Sequence, residues 1–307
     1  MCQLRKIKRK DLDIEKYSKA INEALNYRIY AEYWYLDILT QEKWECWVYA
    51  DYQVVMPVPL QNKLGFKFVL QPIYCQQLGV FYKEEIADEL FREFEKKLHK
   101  YRVRSYCFNE ENTERYNPKG EKRVNYILDL NRPYEEIFTN YTKHRRKDIR
   151  KSQKLEIQSI QTRNFENFIK LKVSNYPHLL HLIDEKFLIK YLNKIDERGK
   201  LICCNILDKN NKLIASQIFI KSGNRNICMG FARDKETENH NSSAFVIDYL
   251  IQQFSDKNYF LDFEGSTNSE IAHFMEGFNP TKKYYTLFSN FNFNLRKLKN
   301  SLKLTID

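Results

Sequence analysis

The 307-residue chain carries 51 Lys and Arg against 40 Asp and Glu, a formal net charge of +11, with 43% hydrophobic and 15% aromatic residues. That apolar fraction is ample for packed cores and excludes wholesale disorder. Only 8 glycines occur; neither GxGxxG nor GxxxxGK(S/T) is present, which removes support for dinucleotide-binding and P-loop readings.

Among the seven cysteines there is no CxxC, and Cys203 and Cys204 lie side by side in an apolar run that reads as a buried strand. The opening Met1-Cys2-Gln3-Leu4-Arg5-Lys6 lacks the apolar core of a secretory leader. No stretch approaches the roughly 18 apolar residues of a membrane span. A reduced, cytoplasmic protein is the expectation. The basic balance suits polyanionic partners, namely tRNA, a nucleotide-linked substrate or an anionic membrane surface. A solvated lysine-rich face fits it equally well.

In chain order, Ile14, Tyr17, Ala20, Ile21, Ala24 and Leu25 fall on one helical face. A second helix is expected over 32–39. Strands at Trp44–Tyr49 and Gln53–Val58 flank the turn Ala50-Asp51-Tyr52. Pro57 and Pro59 should end the second of these or place it on an edge. Further β-like runs cover 66–70 and 77–81. An amphipathic helix follows over 84–101, with Ile86, Leu90, Phe94 and Leu98 four apart. Short strands are expected at 105–108 and 126–130, with a polar loop or lid over 112–123 between them. Pro133 suits the first residue of a helix, which leads into the basic run His144-Arg145-Arg146-Lys147-Asp148-Ile149-Arg150-Lys151.

The second half repeats this grammar. A strand is expected at 155–160, helices at 165–173 and 185–195, and a three-stranded meander at 201–207, 213–221 and 226–232. A polar loop at 233–241, a helix at 242–254, a strand at 259–263, a helix at 269–275 and a strand at 284–288 complete it. The stretch 294–304 reads as a basic amphipathic helix with Leu295, Leu298 and Leu302 on one face, a candidate contact with an anionic membrane surface. The economical fold class is α/β (α+β), with two related modules of mixed, mostly antiparallel sheet flanked by helices, over 1–130 and 131–290, and a tail at 291–307.

Three stretches carry a family resemblance. Leu128-Asp129-Leu130 leads to the basic helix ending Ile149-Arg150-Lys151. Ile214-Ala215-Ser216-Gln217 lies in the meander. Leu261-Asp262-Phe263-Glu264-Gly265-Ser266 is followed by Phe274-Met275-Glu276-Gly277-Phe278. Together they resemble the FemABX-type aminoacyltransferases and their relatives in the GNAT superfamily. Gln71-Pro72 and Gln76-Gln77-Leu78-Gly79-Val80 resemble the first module of such proteins. The resemblance implies tandem GNAT-like modules and transfer of an acyl or aminoacyl group onto an amine. The donor would be acyl-CoA or aminoacyl-tRNA as co-substrate, with no bound cofactor and no metal. The acceptor would be a small-molecule, lipid-linked or nucleotide-linked amine. No helical arm like that of tRNA-using members is legible, and the loop 233–243, where CoA-using members carry glycines, contains none.

Such chemistry needs a proton acceptor, a stabilised carbonyl oxygen and a held leaving group. Asp262 and Glu264 alternate around Phe263, so a strand would set both carboxylates on one face; Glu264 is the candidate general base and Asp262 the second. Capping of the next helix or pairing with Arg and Lys would also account for them. Ser266 and Ser269 read as N-caps of that helix. Asn241-Ser242-Ser243 opens a helix whose free amides suit a phosphate or carboxylate, and an ordinary cap satisfies the same pattern. With Gln217 they form the candidate donor site. Arg145, Arg146, Arg150 and Lys151 could clamp an acceptor phosphate or form a solvated face. Tyr33 and Tyr35, in the cluster with Tyr30 and Trp34, could line an acceptor pocket or pack a core. His178 and His181 lie three apart without further ligands, so no metal site is expected.

Overall fold

The computed structural model describes residues 3–63, 65–175, 184–237 and 241–291. The first stretch of chain gives β1 (Arg5–Lys8), α1 (Ile14–Asn22), α2 (Tyr33–Thr40), β2 (Trp44–Tyr49), β3 (Val54–Lys63), β4 (Phe66–Leu70), β5 (Phe81–Tyr82), α3 (Asp88–His99), β6 (Val103–Phe108), α4 (Glu110–Tyr116) and β7 (Glu121–Asp129). Then follow α5 (Tyr134–Asn140), α6 (Lys143–Lys154), β8 (Gln158–Thr162), α7 (Glu166–Asn175), α8 (Glu185–Glu197), β9 (Leu201–Leu207), β10 (Leu213–Ser222), β11 (Arg225–Arg233), α9 (Ser242–Phe254), β12 (Phe260–Asp262), α10 (Ser269–Glu276) and β13 (Thr281–Phe288). The chain divides into two compact units. One is formed by residues up to Arg123 together with the stretch from Tyr284 on, the other by Val124–Lys283. No helix among the described residues is long and apolar enough to cross a membrane. The tail at 292–307 and the pair His178/His181 lie outside the described residues.

In the first unit the strand order is β1-β2-β3-β4-β6-β13, with β5 pairing β3. Helix α1 starts where the Asp13 side chain accepts from the N–H of Lys16 at 3.1 Å. It buries Tyr17 and Ile21. Helix α3 carries Asp88 and Glu89 in its first turn and Lys96, Lys97 and His99 in its last, matching its dipole; Phe91, Phe94 and Leu98 are buried.

Strand β3 does not stop at its prolines. The N–H of Leu60 donates to Lys43 on the β2 side, so the alternate positions Pro57 and Pro59 face away from β2. On that far side β5 reaches only Val54–Val55 and β4 begins only at Leu60. The prolines therefore remove no ladder bond. The stretch expected as a loop or lid is helix α4 in its first half. Asn109 caps it by accepting from the N–H of Asn112 at 2.9 Å. Asn112 and Thr113 are buried there.

In the second unit the order is β7-β12-β11-β10-β9-β8. The β8-β9-β10-β11 ladder is antiparallel throughout, β11 and β12 run parallel, and β12 meets β7 antiparallel. The turn after β9 is held by the Asp208 side chain, which accepts from Asn210 N–H at 2.8 Å and Lys212 N–H at 2.9 Å. Cys203 and Cys204 are buried in β9. Burial pushes their thiols up to about 11 and about 12, leaving both protonated. The core gathers Leu128, Ile149, Phe219, Ile247, Leu250 and Phe278 under helices α5, α6 and α9.

Candidate active site

The site arises where two neighbouring strands part. β11 and β12 pair only through Arg225–Phe260, Asn226–Leu261 and Ile227–Asp262. From Cys228 to Arg233, β11 continues against β10 alone. Its ladder with β10 also breaks step: Ile218 faces Gly230 while Phe219 faces Cys228, so Met229 is a bulged residue without a cross-strand partner. Backbone groups on the β12 side of this segment have no strand to bond.

The gap is a cleft of about 590 Å³. One wall is Cys228–Phe231 and Arg233 on β11, with Gln217 on β10; another is the start of α9, with Ser242, Ser243 and Ile247. Phe263–Ser266 and Glu270, Ile271, Phe274 and Met275 of α10 close it. The cleft thus combines an apolar lining with the carboxylates of Glu264 and Glu270 and the guanidinium of Arg233, which has no carboxylate partner among the described residues.

The carboxylate corner is built differently from a continued strand. β12 ends at Asp262, and Glu264 and Gly265 both adopt left-handed backbone, φ 62° and 57°. Period-two alternation stops there, so Asp262 and Glu264 do not share a strand face. Asp262 is buried. Its Oδ1 accepts from Asn125 Nδ2 at 3.0 Å and from the N–H of Glu264 at 2.9 Å, and its Oδ2 meets Arg225 Nη1 at 3.2 Å. Glu264 lines the cleft and Asp262 does not. A Cβ on Gly265 would lie 2.1 Å from the carbonyl oxygen of Val124, so only glycine fits this turn. Beside the corner, burial first, then the Asp262 and Glu264 carboxylates, push the half-buried Cys228 thiol well above its ordinary range; it is a neutral thiol, not a thiolate nucleophile.

Helix α9 begins at Asn241, in left-handed backbone at φ 55°, whose side chain makes no capping bond to the helix. No acidic residue occupies the first turn. Its opening amides therefore have no carboxylate of the helix's own first turn beside them. Helix α10 is capped by Asn268, which accepts from Glu270 and Ile271 at 2.9 and 3.3 Å. This corrects the assignment of that cap to Ser266 or Ser269. Ser266 instead accepts from Asn268 N–H at 3.1 Å and lines the cleft.

Glu264, Gln217, Ser242 and Ser243 thus come together, with Asn241 at the helix start beside them. The basic cluster does not join them. Arg145 is buried; its guanidinium donates to the Phe274 carbonyl at 2.8 Å, pairs with Asp148 at 3.1 Å and lies over the rings of Phe274 and Phe278 at 4.2 and 4.7 Å. It braces the back of the cleft wall. Arg146 donates to the carbonyls of Thr139 and Tyr141. Arg150 and Lys151 are exposed on the outer side of α6. Tyr33 and Tyr35 lie in the other unit, Tyr33 under the Arg9 guanidinium at 5.6 Å and Tyr35 buried with its hydroxyl donating to Tyr74 O at 2.7 Å. Arg233, the Met229 bulge and Glu270 were not singled out from sequence. Arg233 reads there only as the first residue of a polar loop, and a bulge leaves no composition signal. Among the described residues no three His, Cys, Asp or Glu side chains gather as a metal centre requires.

Comparison with solved structures bears on the fold. Over 98% of this chain and 99% of the other, the structure matches FemX with a TM-score of 0.68 at 9% identity. L-PGS from Bacillus licheniformis matches at TM-score 0.54 and 12% identity over 96% and 97% of the chains. The fold is of the FemABX/GNAT type. A GNAT-family acetyltransferase from Colwellia psychrerythraea matches at TM-score 0.54 and 12% identity, over 94% of this chain and all of the other. No protein-family model and no curated protein matches the sequence. The FemABX/GNAT-type fold is therefore carried by the course of the backbone, with few residues shared.

Proposed function

We propose that the chain is an acyltransferase of the FemABX/GNAT kind, moving an acyl or aminoacyl group onto an amine within the cleft between β11 and β12. The observation that carries this is the parting of those strands after Ile227 and Asp262. It leaves bulged backbone on one wall and a carboxylate on the other.

The Glu264 carboxylate takes a proton from the acceptor's ammonium group. The freed amine attacks the donor's carbonyl carbon. A main-chain N–H of the bulged segment around Met229 stabilises the oxygen as it becomes anionic. Collapse of the tetrahedral centre re-forms the carbonyl, breaks the bond to the donor's leaving group and returns a proton to that group. Asp262 acts through Glu264 by fixing the corner. Arg233, Gln217 and the α9 start at Asn241, Ser242 and Ser243 hold the donor's anionic part. The donor is an acyl-CoA or an aminoacyl-tRNA, and the acceptor a small-molecule, lipid-linked or nucleotide-linked amine.

The test is a panel of acyl-CoA thioesters and charged tRNAs against amine acceptors, with Glu264→Gln as the comparison. The reading expects turnover by the parent and a fall of about a hundredfold or more in kcat for the variant, the scale of general-base removal, with donor binding retained. Donor binding by the parent with no turnover for any pair would instead favour a non-catalytic binding module.

A further inference from the structure

Helix α10 is eight residues long, and none of them is buried. A helix this short is stabilised by packing and not by propensity. Ile271, Phe274 and Met275 stand at i, i+3 and i+4 and so share one face, and all three line the cleft. Ile271, 46% exposed, gains burial there only when the cleft is filled. The helix is secured at one end. At its C-terminal end α6 holds it: Arg145 donates to the Phe274 carbonyl at 2.8 Å, and the N–H of Thr142 donates to the Gly277 carbonyl at 3.0 Å. The Phe274 ring also meets the buried Phe278 ring at 5.6 Å. Residues 266–273 have no such tie. Their hydrogen bonds stay within 266–277: Ser266 accepts from Asn268, the Asn268 side chain from Glu270 and Ile271, and the His273 carbonyl from Gly277. None of 266–273 forms an ion pair among the described residues. Left-handed backbone flanks the helix on both sides, at Glu264 and Gly265 before it and at Asn279 after it, φ 62°, 57° and 56°.

We propose that the N-terminal half of α10 is a flap, hinged at Phe274–Gly277, that closes over the occupant of the cleft and lays Ile271 on an apolar part of it. The proposal deepens the acyl-transfer reading and rests on it for the site. The apolar part is the transferred acyl group, so Ile271 is a specificity-determining residue and the donors are those with hydrocarbon acyl groups. The fixed walls supply Phe231, Ile247 and Phe263 to the same cleft. An ionised group enclosed among such side chains gives up its hydration without a replacement, whereas each buried methylene is stabilising. Motion about one secured end, with residues in unusual backbone at the flanks, is the ordinary build of a lid. The one carboxylate on the flap is Glu270, about 100° round the helix from Ile271. A cationic acyl group would seek Glu270 and a hydrocarbon one Ile271, and the experiment weighs the two.

The experiment is hydrogen exchange of the full chain, alone and with three probes: N-methylacetamide, N-methylhexanamide and 6-amino-N-methylhexanamide. Their affinities are read from the isoleucine methyl signals by NMR. In the free chain the amides of residues 270–273 should exchange at least about a hundredfold faster than those of 246–251 in α9, and N-methylhexanamide should slow the first set alone. That probe should bind at least about fivefold more tightly than N-methylacetamide, and more tightly than its amino derivative. Ile271→Ser should bring the two neutral amides to parity without moving Tm, because the side chain buries little in the free chain. Ile271→Leu should restore the preference. Equal exchange in the two sets, a preference that survives Ile271→Ser, tighter binding of the amino derivative, or binding of no probe overturns the proposal. None of these amides reacts. A chain that meets every expectation here and turns over no donor–acceptor pair would therefore fail the transfer reading and keep the apolar flap.

Discussion

The main-chain N–H of Glu264 donates to Oδ1 of Asp262 at 2.9 Å, and this one bond joins a buried carboxylate to one that lines the cleft. Asp262 also holds Asn125 of β7 and Arg225 of β11, so the corner that carries Glu264 is tied to both strands through a carboxylate outside the cleft lining. Asp262→Ala should cost about 3 kcal/mol, because it removes a buried carboxylate that meets Arg225, Asn125 and the Glu264 N–H at once. Asp262→Asn keeps an oxygen for the Glu264 N–H and should cost less. Urea denaturation of both variants checks the order; equal stabilities would show that the charge of Asp262 is immaterial.

A second carboxylate gives a pH signature. Asp248 on α9 accepts from the hydroxyls of Tyr134 and Tyr141 and from Gln252, and burial raises it from 3.8 to about 6. Between those values the folded chain holds a proton that the unfolded chain has released. This contribution is therefore fully present below about pH 4 and is lost as pH rises through 6, by up to about 3 kcal/mol. Asp248→Asn should abolish that component. Stability of parent and variant compared from pH 4 to 7.5 should diverge in favour of the variant as pH rises; parallel curves would exclude it.

The turn itself can be probed at Gly265. Gly265→Ala must adopt a left-handed backbone and also displace the Val124 carbonyl. Gly199→Ala meets the same backbone demand, at φ 64°, with nothing within 4 Å. The second should cost about 1 kcal/mol and the first clearly more. Thermal melting of the pair separates crowding from backbone strain, and equal losses would contradict the close approach.

Arg145 offers the contrast with its exposed neighbours. Arg145→Met leaves the Phe274 carbonyl without its donor and Asp148 with His144 alone and should destabilise by about 2 kcal/mol, whereas Arg150→Met should stay within about 0.5 kcal/mol. A fully stable Arg145→Met protein would return Arg145 to the solvated face of the helix.

The elements that sequence shows most clearly are those whose pattern agrees with their packing. The meander is marked by Asp208 and Gly223 turns, and α9 by an apolar run after a polar loop. Helix α4 was hidden because its buried face is polar: Asn112 is buried through its bonds to Val80, so no apolar period announces it. β3 passes its prolines because a neighbour is missing on one side, a fact of pairing and not of composition. In the site, Glu264, Gln217 and the α9 start were legible from the resemblance. The inward turn of Arg145 was not, since residues three and four apart on a helix look alike until a partner such as Phe274 is placed. The Met229 bulge depends on register, which no single strand encodes.

The last described strand belongs to the first unit: Thr286, Leu287 and Phe288 of β13 pair with Phe108, Cys107 and Tyr106 of β6, and Thr113 and Thr286 share a buried hydrogen bond at 3.0 Å. On the ribosome, β6 therefore waits through the synthesis of the entire second unit for its neighbour. The usual order, in which the N-terminal part finishes folding first, is inverted. The unit completed last is the one begun first, and until β13 emerges the β6 edge stays open to wrong pairings.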